Sequence, residues 1–412
     1  MIRALSIALT ALVFSSASHA QDDTAARLTA LEHKNAELEA RLAALADEQE
    51  GLTLGGLVPP RGESVYGLGP SASKVYAADE GLSIGGYGEA LYERRNGDVA
   101  DEVDALRLVT YLGYRFDEHW LFNSEIEFEH AGEEVGVEFA YLDYLWRAAL
   151  NFRMGLVLIP MGFVNELHEP PTFLAAKRPE TERRILPSTW REEGVGVFGD
   201  AGGVSYRAYV VNGFDATGFT DQGLRGGRQN GSEALAEDIA FVARADWTDT
   251  PGLLAGGSFY VGNSGQGQAG LESTGVTAAE LHGEWRARGL WARALVAMAE
   301  VDDVAELNAA NGFAGADSVG EELEGYYVEA GYDLLALCAR GSAQALSPYL
   351  RYEALDTQAE VPAGFASDPA NDQDILTAGL NWRPRANLVF KAEYQDFETD
   401  EDGWNVLMGF SF

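Results

Sequence analysis

From about residue 81 to Phe412, apolar and polar side chains alternate with period two, and the gaps between the alternating runs are themselves regular. DALRLVTYLGYRF sets Leu106, Leu108, Thr110, Leu112, Tyr114 and Phe116 against Arg107, Val109, Tyr111, Gly113 and Arg115. HWLFNSEIEFEH sets Trp120, Phe122, Ile126 and Phe128 against Asn123, Glu125, Glu127 and Glu129, and DILTAGLNW, LVFKAEYQDF and WNVLMGFSF repeat the scheme. Successive strand side chains point to opposite faces, so each run is a strand with one apolar and one polar face. About sixteen such strands are predicted, beginning near 82, 104, 120, 135, 151, 194, 203, 236, 253, 277, 290, 325, 347, 373, 387 and 404. Short turns (DEH, RAA, DAGG, TDTPG, RARG, RPRAN) alternate with longer polar loops, and only LALCARGSAQALSP is long where a short turn is expected. A membrane can be crossed by strands only if the sheet closes and leaves no unpaired edge. The pattern therefore predicts an all-β fold, a 16-stranded antiparallel transmembrane β-barrel over residues 81–412. Turns then lie on the periplasmic rim and loops on the extracellular one.

Trp120, Trp146, Trp247, Trp285, Trp291 and Trp382 all fall within a few residues of a short turn. Amphipathic rings favour the membrane interface, so these six are expected to form the periplasmic girdle. A soluble β-sandwich would scatter its tryptophans through the core and would not explain the alternating loop lengths. The final strand ends on an aromatic residue, Phe412, which resembles the C-terminal signature that barrel assembly machinery recognises in bacterial outer-membrane proteins.

The first twenty residues, MIRALSIALTALVFSSASHA, read as a secretory signal peptide. A basic residue (Arg3), a short uncharged apolar run and a small-residue Ser18-x-Ala20 site follow in order. Residues 21–50 then place Leu28, Leu31, Asn35, Leu38, Leu42, Leu45 and Gln49 at alternating spacings of three and four. That is an a/d seam in which buried polar residues fix register and oligomer state. It predicts a short parallel coiled coil, standing in the periplasm, that holds a homo-oligomer together. Residues 51–80 are rich in Gly, Pro and Ser and show no period, and so read as a linker.

The formal net charge is −36, or −37 once Arg3 leaves with the signal segment. Nucleic acid is excluded as a partner, because a phosphate backbone requires a basic footprint. The single cysteine, Cys338, offers neither an internal disulfide nor a Cys cluster for a metal. No metal, cofactor or catalytic site is expected. GQGQAG precedes a strand rather than a helix, so it cannot meet a pyrophosphate as a dinucleotide motif does. Glu166, His168 and Glu169 sit too close together on a proline-rich stretch for helical metal-ligand spacing, and no Gly-x-Ser-x-Gly elbow is present.

The least uniform stretch is NELHEPPTFLAAKRPETERRILPSTW, residues 165–190, which falls between the fifth and sixth strands. As a loop of about 161–193 it is the longest connection, and length without regular structure marks a functional loop. A sixteen-stranded lumen is wide enough to need narrowing, and a loop folded inward does that. Pro170, Pro171, Pro179 and Pro187 restrict φ and lower the entropy cost of a single conformation. Lys177, Arg178, Arg183, Arg184 and Arg191 face Glu166, Glu169, Glu180 and Glu182 in sequence, so they are the candidates for a charged constriction that sets ion preference. Further lumen-facing candidates are Arg107, Arg153, Arg207, Arg244, Arg351 and Lys391 on strands, with Arg225 and Arg228 in the fourth loop.

RLVTYLGYRFDEHWLFNSEIEFEHA, GFVNELHEPPTF, RPETERRILPSTWREEGVGVFG, YVVNGF and LRGGRQ resemble the phosphate-selective porin O and P family. The resemblance spans residues 81–412 and is strongest over 105–230. It implies a trimeric sixteen-stranded porin in the bacterial outer membrane, among its lipid and lipopolysaccharide. It also implies passive diffusion of small solutes, with anion preference where basic residues line the pore. The acidity of this chain departs from that pattern and leaves general diffusion, cation preference or a structural, tethered barrel as alternatives.

Overall fold

The computed structural model describes residues 28–42, 63–97, 99–339, 341–398 and 402–412. The signal segment, Leu45, Gln49 and the first part of the linker lie outside the described residues. The chain divides into two units, Met1–Gly55 and Gly56–Phe412. In the first, residues 28–42 form a helix whose every residue is exposed, Leu28, Leu31, Asn35, Leu38 and Leu42 included.

The second unit holds sixteen strands in antiparallel order. They run β1 (Gly81–Arg95), β2 (Glu102–Arg115), β3 (Trp120–Glu129), β4 (Glu134–Arg147), β5 (Leu150–Leu158), β6 (Arg191–Ala201), β7 (Val204–Asn212) and β8 (Ile239–Trp247). The second half comprises β9 (Leu253–Asn263), β10 (Gly275–Ala287), β11 (Leu290–Val301), β12 (Glu322–Tyr332), β13 (Ala345–Glu360), β14 (Asp372–Arg385), β15 (Leu388–Phe397) and β16 (Gly403–Ser411). Each strand pairs with its sequence neighbours, and β1 pairs with β16 from Tyr87↔Ser411 to Arg95↔Gly403. The sheet is thus a closed barrel, and closure gives the edge strands hydrogen-bond partners that lipid could not supply. Among the described residues no helix is long and apolar enough to cross a membrane.

The period-two pattern sorts side chains as expected. On β16 Trp404, Val406 and Met408 are exposed, while Asn405, Leu407 and Ser411 are buried inside. On β2 Leu108 and Tyr114 point outward, and Val109 and Tyr111 inward. Residues 148–149, 202–203, 288–289 and 386–387 make two-residue turns on one rim, whereas the opposite rim carries the long loops 159–190, 213–238 and 302–321. The anomalous connection after β12 contains a helical turn, Leu335–Cys338, where the Asp333 carboxylate accepts from the Leu335 and Leu346 amides.

Two features differ from the sequence expectation. Five of the six girdle tryptophans are exposed near the short-turn rim, but Trp291 is only 8% exposed and faces inward. Its indole N–H donates to Glu284, and the Arg286 guanidinium lies 3.8 Å from its ring centre. A buried donor needs an acceptor, and Glu284 supplies one only on the lumen side. The second concerns residues 63–80, read as linker from their composition. They bury Leu68, Ala72 and Val75 and form a helical turn, Lys74–Ala77.

Candidate functional site

The loop after β5, here L3 (residues 159–190), lies inside the barrel. Strand after strand reaches it with a polar side chain. The Arg244 guanidinium donates to the Gly162 carbonyl, Arg293 to that of Thr172, Asn381 to that of Leu174, Lys391 to that of Ala175 and Arg351 to that of Lys177. In return the Glu393 carboxylate accepts from the Ala176 and Lys177 amides. The loop ties itself as well. Glu182 accepts from the Phe163 and Val164 amides at 2.7 and 2.8 Å and from the Tyr327 hydroxyl at 2.6 Å. Pro170 and Pro171 open a 3₁₀ turn, Pro170–Thr172, and Pro179 precedes the helical turn Glu180–Arg184. These fixed φ values suit a loop whose backbone must hold many separate bonds at once.

An aromatic core secures the C-terminal end of L3. Trp190 stacks on Phe214 with ring centres 4.3 Å apart, and Tyr260 lies 5.0 Å from Trp190. Phe214 belongs to the loop after β7, here L4 (residues 213–238), so L3 and L4 pack as one body. The Leu224 amide donates to the Arg184 carbonyl across the same seam.

Between this body and the β1–β4 wall is a cavity of about 580 Å³, bordered by Glu89, Glu127, Glu129, Lys177, Arg178, Arg183, Ser188, Thr189, Arg191, Arg225 and Arg228. Its charged groups divide by wall. On β1–β3, Arg107 is shared by three carboxylates, Glu89 at 3.0 Å, Glu127 at 3.3 Å and Glu129 at 3.0 Å. On the loop side Arg183 and Arg184 pair with Glu180, Lys177 with Glu93 and Arg191 with Glu138. Burial works against the charge of Glu180, yet Arg183 and Arg184 hold it below the usual carboxylate range.

Three partly buried cations differ from the paired ones. Among the described residues, Arg178, Arg225 and Arg228 have no carboxylate in ion-pair contact. One terminal nitrogen of Arg178 is buried without a hydrogen-bond acceptor. Arg225 and Arg228 donate instead to the Ser188 carbonyl, and Arg228 also to the carbonyl and hydroxyl of Thr189. Thr189 has φ +57°, a conformation costly for a β-branched residue. That backbone presents its carbonyl to Arg191 as well as Arg228. Burial, and then neighbouring arginines, push Arg225 and Arg228 below the usual guanidinium range, so both are charged at neutral pH but poorly compensated. Such groups gain most from an added anion.

The other candidates are placed as follows. Arg153, Arg207, Arg244, Arg351 and Lys391 are all on the lumen face and at most 4% exposed. Arg153 pairs with Asp143 at 2.8 Å, Arg207 with Glu166 and Asp246, and Arg351 with Glu353 at 2.8 Å. They brace the loop and the wall rather than border the open cavity. Glu166 and Glu169 are buried, and Glu169 accepts from the Ser71 and Ala72 amides. His168 is held between the Asn165 carbonyl and Glu125, with no third ligand-type group beside it among the described residues. Sequence reasoning missed Ser188 and Thr189, which act through backbone carbonyls. It also missed Arg293, which lies among small and apolar lumen residues (Leu295, Ala297, Ala299) that mask the alternation of β11.

This geometry, a closed sixteen-stranded barrel narrowed by an inward third loop, is the porin type of fold. Salmonella typhi OmpF, solved with daunomycin, superposes with a TM-score of 0.54 at 13% identity, covering 81% of this chain and 98% of that one. An anion-selective porin from Comamonas acidovorans gives 0.51 at 11% identity over 81% and 100%. The trimer form of Vibrio cholerae OmpT gives 0.51 at 11% over the same shares. At these identities the likeness is one of fold. No family model matches the sequence. The chain belongs to the same family as a protein of Aquifex aeolicus (strain VF5) described only as uncharacterized, which is 37% identical over 369 residues, 84% of this chain and 83% of that protein.

Proposed function

We propose that this chain is an outer-membrane porin that passes small hydrophilic solutes by diffusion and prefers anions, as members of the phosphate-selective porin O and P family do. The observation that carries the reading is the Arg178, Arg225 and Arg228 group, three cations without carboxylate partners among the described residues, beside a cavity of about 580 Å³. One fold neighbour is described as an anion-selective porin and another was solved as a trimer. Three copies joined through the Leu28, Leu31, Asn35, Leu38 and Leu42 seam would form the trimer, with the coiled coil in the periplasm. Phe412, 42% exposed at the end of β16, is available to the assembly machinery.

A second reading has its own support. Glu89, Glu127 and Glu129 share a single arginine, so the β1–β3 wall keeps net negative charge. If that wall dominates, the chain is a cation-preferring general porin. Reversal potential of the purified protein in a planar bilayer under a KCl gradient decides. Anion preference supports the first reading, cation preference the second, and absence of conductance removes both.

A further inference from the structure

We infer that residues 66–78 form a second constriction element, a wedge that occupies the lumen along β1–β7 and sets the size limit of the pore together with L3. The inference rests on the porin reading above. It concerns a segment that composition marks as a linker and that no charge argument involves.

The contacts run around almost half the barrel. From β2, Arg115 donates to the Tyr76 and Ala78 carbonyls at 3.1 and 3.0 Å. From β3, Asn123 donates to the Ala72 carbonyl at 3.0 Å. The Tyr76 hydroxyl donates to Asp143 on β4 at 2.6 Å and accepts from Arg153 on β5 at 2.8 Å. Tyr66 packs edge-on against Phe198 of β6, with ring centres 4.7 Å apart. On β7, Arg207 reaches the wedge at Gly67, where an added Cβ would fall 2.9 Å from its guanidinium carbon.

The wall is shaped for the wedge. Gly113 faces inward on β2, and a Cβ there would lie 2.6 Å from the Val75 side chain. Leu68, Ala72 and Val75 are at most 3% exposed. A segment with so many wall-specific bonds and so little exposed apolar surface is a built part of the lumen rather than a slack tether.

L3 fills the other side, against β11–β15, and the two meet at two of its carboxylates, Glu166 beside Gly67 and Glu169. Glu169 of L3 accepts from the Ser71 amide at 2.7 Å and from the Ala72 amide at 3.2 Å.

The test replaces residues 66–77 with an equally long Gly/Ser stretch, which keeps the connection to the N-terminal helix. A second variant, Gly113→Leu, evicts Val75 from the wall while leaving the sequences of the wedge and L3 unchanged. Both are measured as full-length protein by single-channel conductance in KCl and by liposome swelling with arabinose, maltose and raffinose. If the wedge occupies nearly half of the cross-section, conductance rises about twofold, and the larger sugars enter faster, in either variant. The anion-to-cation ratio stays within experimental error, because Arg178, Arg225 and Arg228 are untouched. A conducting wild type with variants of equal conductance and equal sugar limits overturns the inference while leaving the porin reading intact. A silent wild type with a conducting variant supports the wedge as a full plug. Silence in all three removes the porin reading and the inference with it.

Discussion

Replacing Arg225 and Arg228 together with Gln tests the charge argument at its centre. Gln keeps a donor for the Ser188 and Thr189 carbonyls that the arginines serve, so the L3–L4 seam can persist without the two charges. The cavity is open to water, so the low end of the Coulomb range applies. An anion about 8 Å from a guanidinium in water gains roughly 0.5 kcal/mol, and a cation loses as much. Each charge thus biases the anion-to-cation ratio by about 1 kcal/mol, roughly fivefold. Screening over a Debye length of about 10 Å at 0.1 M salt reduces this to about twofold per charge. Removing both should lower the permeability ratio about fourfold, read as a reversal-potential shift in a KCl gradient centred near 0.1 M. At 1 M salt, where the Debye length is about 3 Å, the difference should vanish. An unchanged ratio at low salt would refute the assignment of selectivity to this group and favour the acidic β1–β3 wall.

Other expectations follow from single contacts. Burial disfavours a charged His168, but Glu125 outweighs it and raises the imidazole to about 8, so its bond to the barrel wall is charge-assisted. A raised histidine stabilises fully below its unfolded value of about 6.5 and loses that contribution as pH climbs through about 8, here about 2 kcal/mol. Barrel unfolding followed from pH 6 to 9 should show this loss, and His168→Gln should flatten it. A wild-type profile that is already flat counts against the ion pair. Val328→Arg puts a charge on an outward residue of β12 that is 53% exposed, and should cost about 2–4 kcal/mol of stability in lipid. No loss in vesicle unfolding titrations would place that face against water. If the protein is the proposed trimer, deleting residues 21–50 should lower the temperature at which it dissociates on gels while leaving monomeric barrels folded, since the β1–β16 pairing lies outside them. An unchanged trimer would show the seam to be dispensable.

What could be read in advance follows from which solvent each residue faces. Lipid favours apolar outward residues, so most outward rows are apolar, and predicted starts such as 120, 253 and 290 coincide with those of β3, β9 and β11. The lumen imposes no such uniformity. Tyr111, Phe139 and Leu295 are inside beside Arg107, Asp143 and Arg293, so inward rows are mixed. That mixture placed Trp291 in the girdle and hid Arg293. The site was legible in kind, as charge on L3, but not in its pairing. Arg183 and Arg184 share Glu180 at one helical-turn spacing, whereas Arg178, two residues before Glu180, reaches no carboxylate. Sequence distance cannot separate these cases, because Pro179 caps the helical turn Glu180–Arg184 and leaves Arg178 before it, outside the turn. The wedge was least legible for a related reason. Its anchors are largely backbone groups, the Ser71 and Ala72 amides and the Ala72, Tyr76 and Ala78 carbonyls. Every residue type has those groups, so a stretch rich in Gly and Ser can be held as firmly as a strand and leave no period to find.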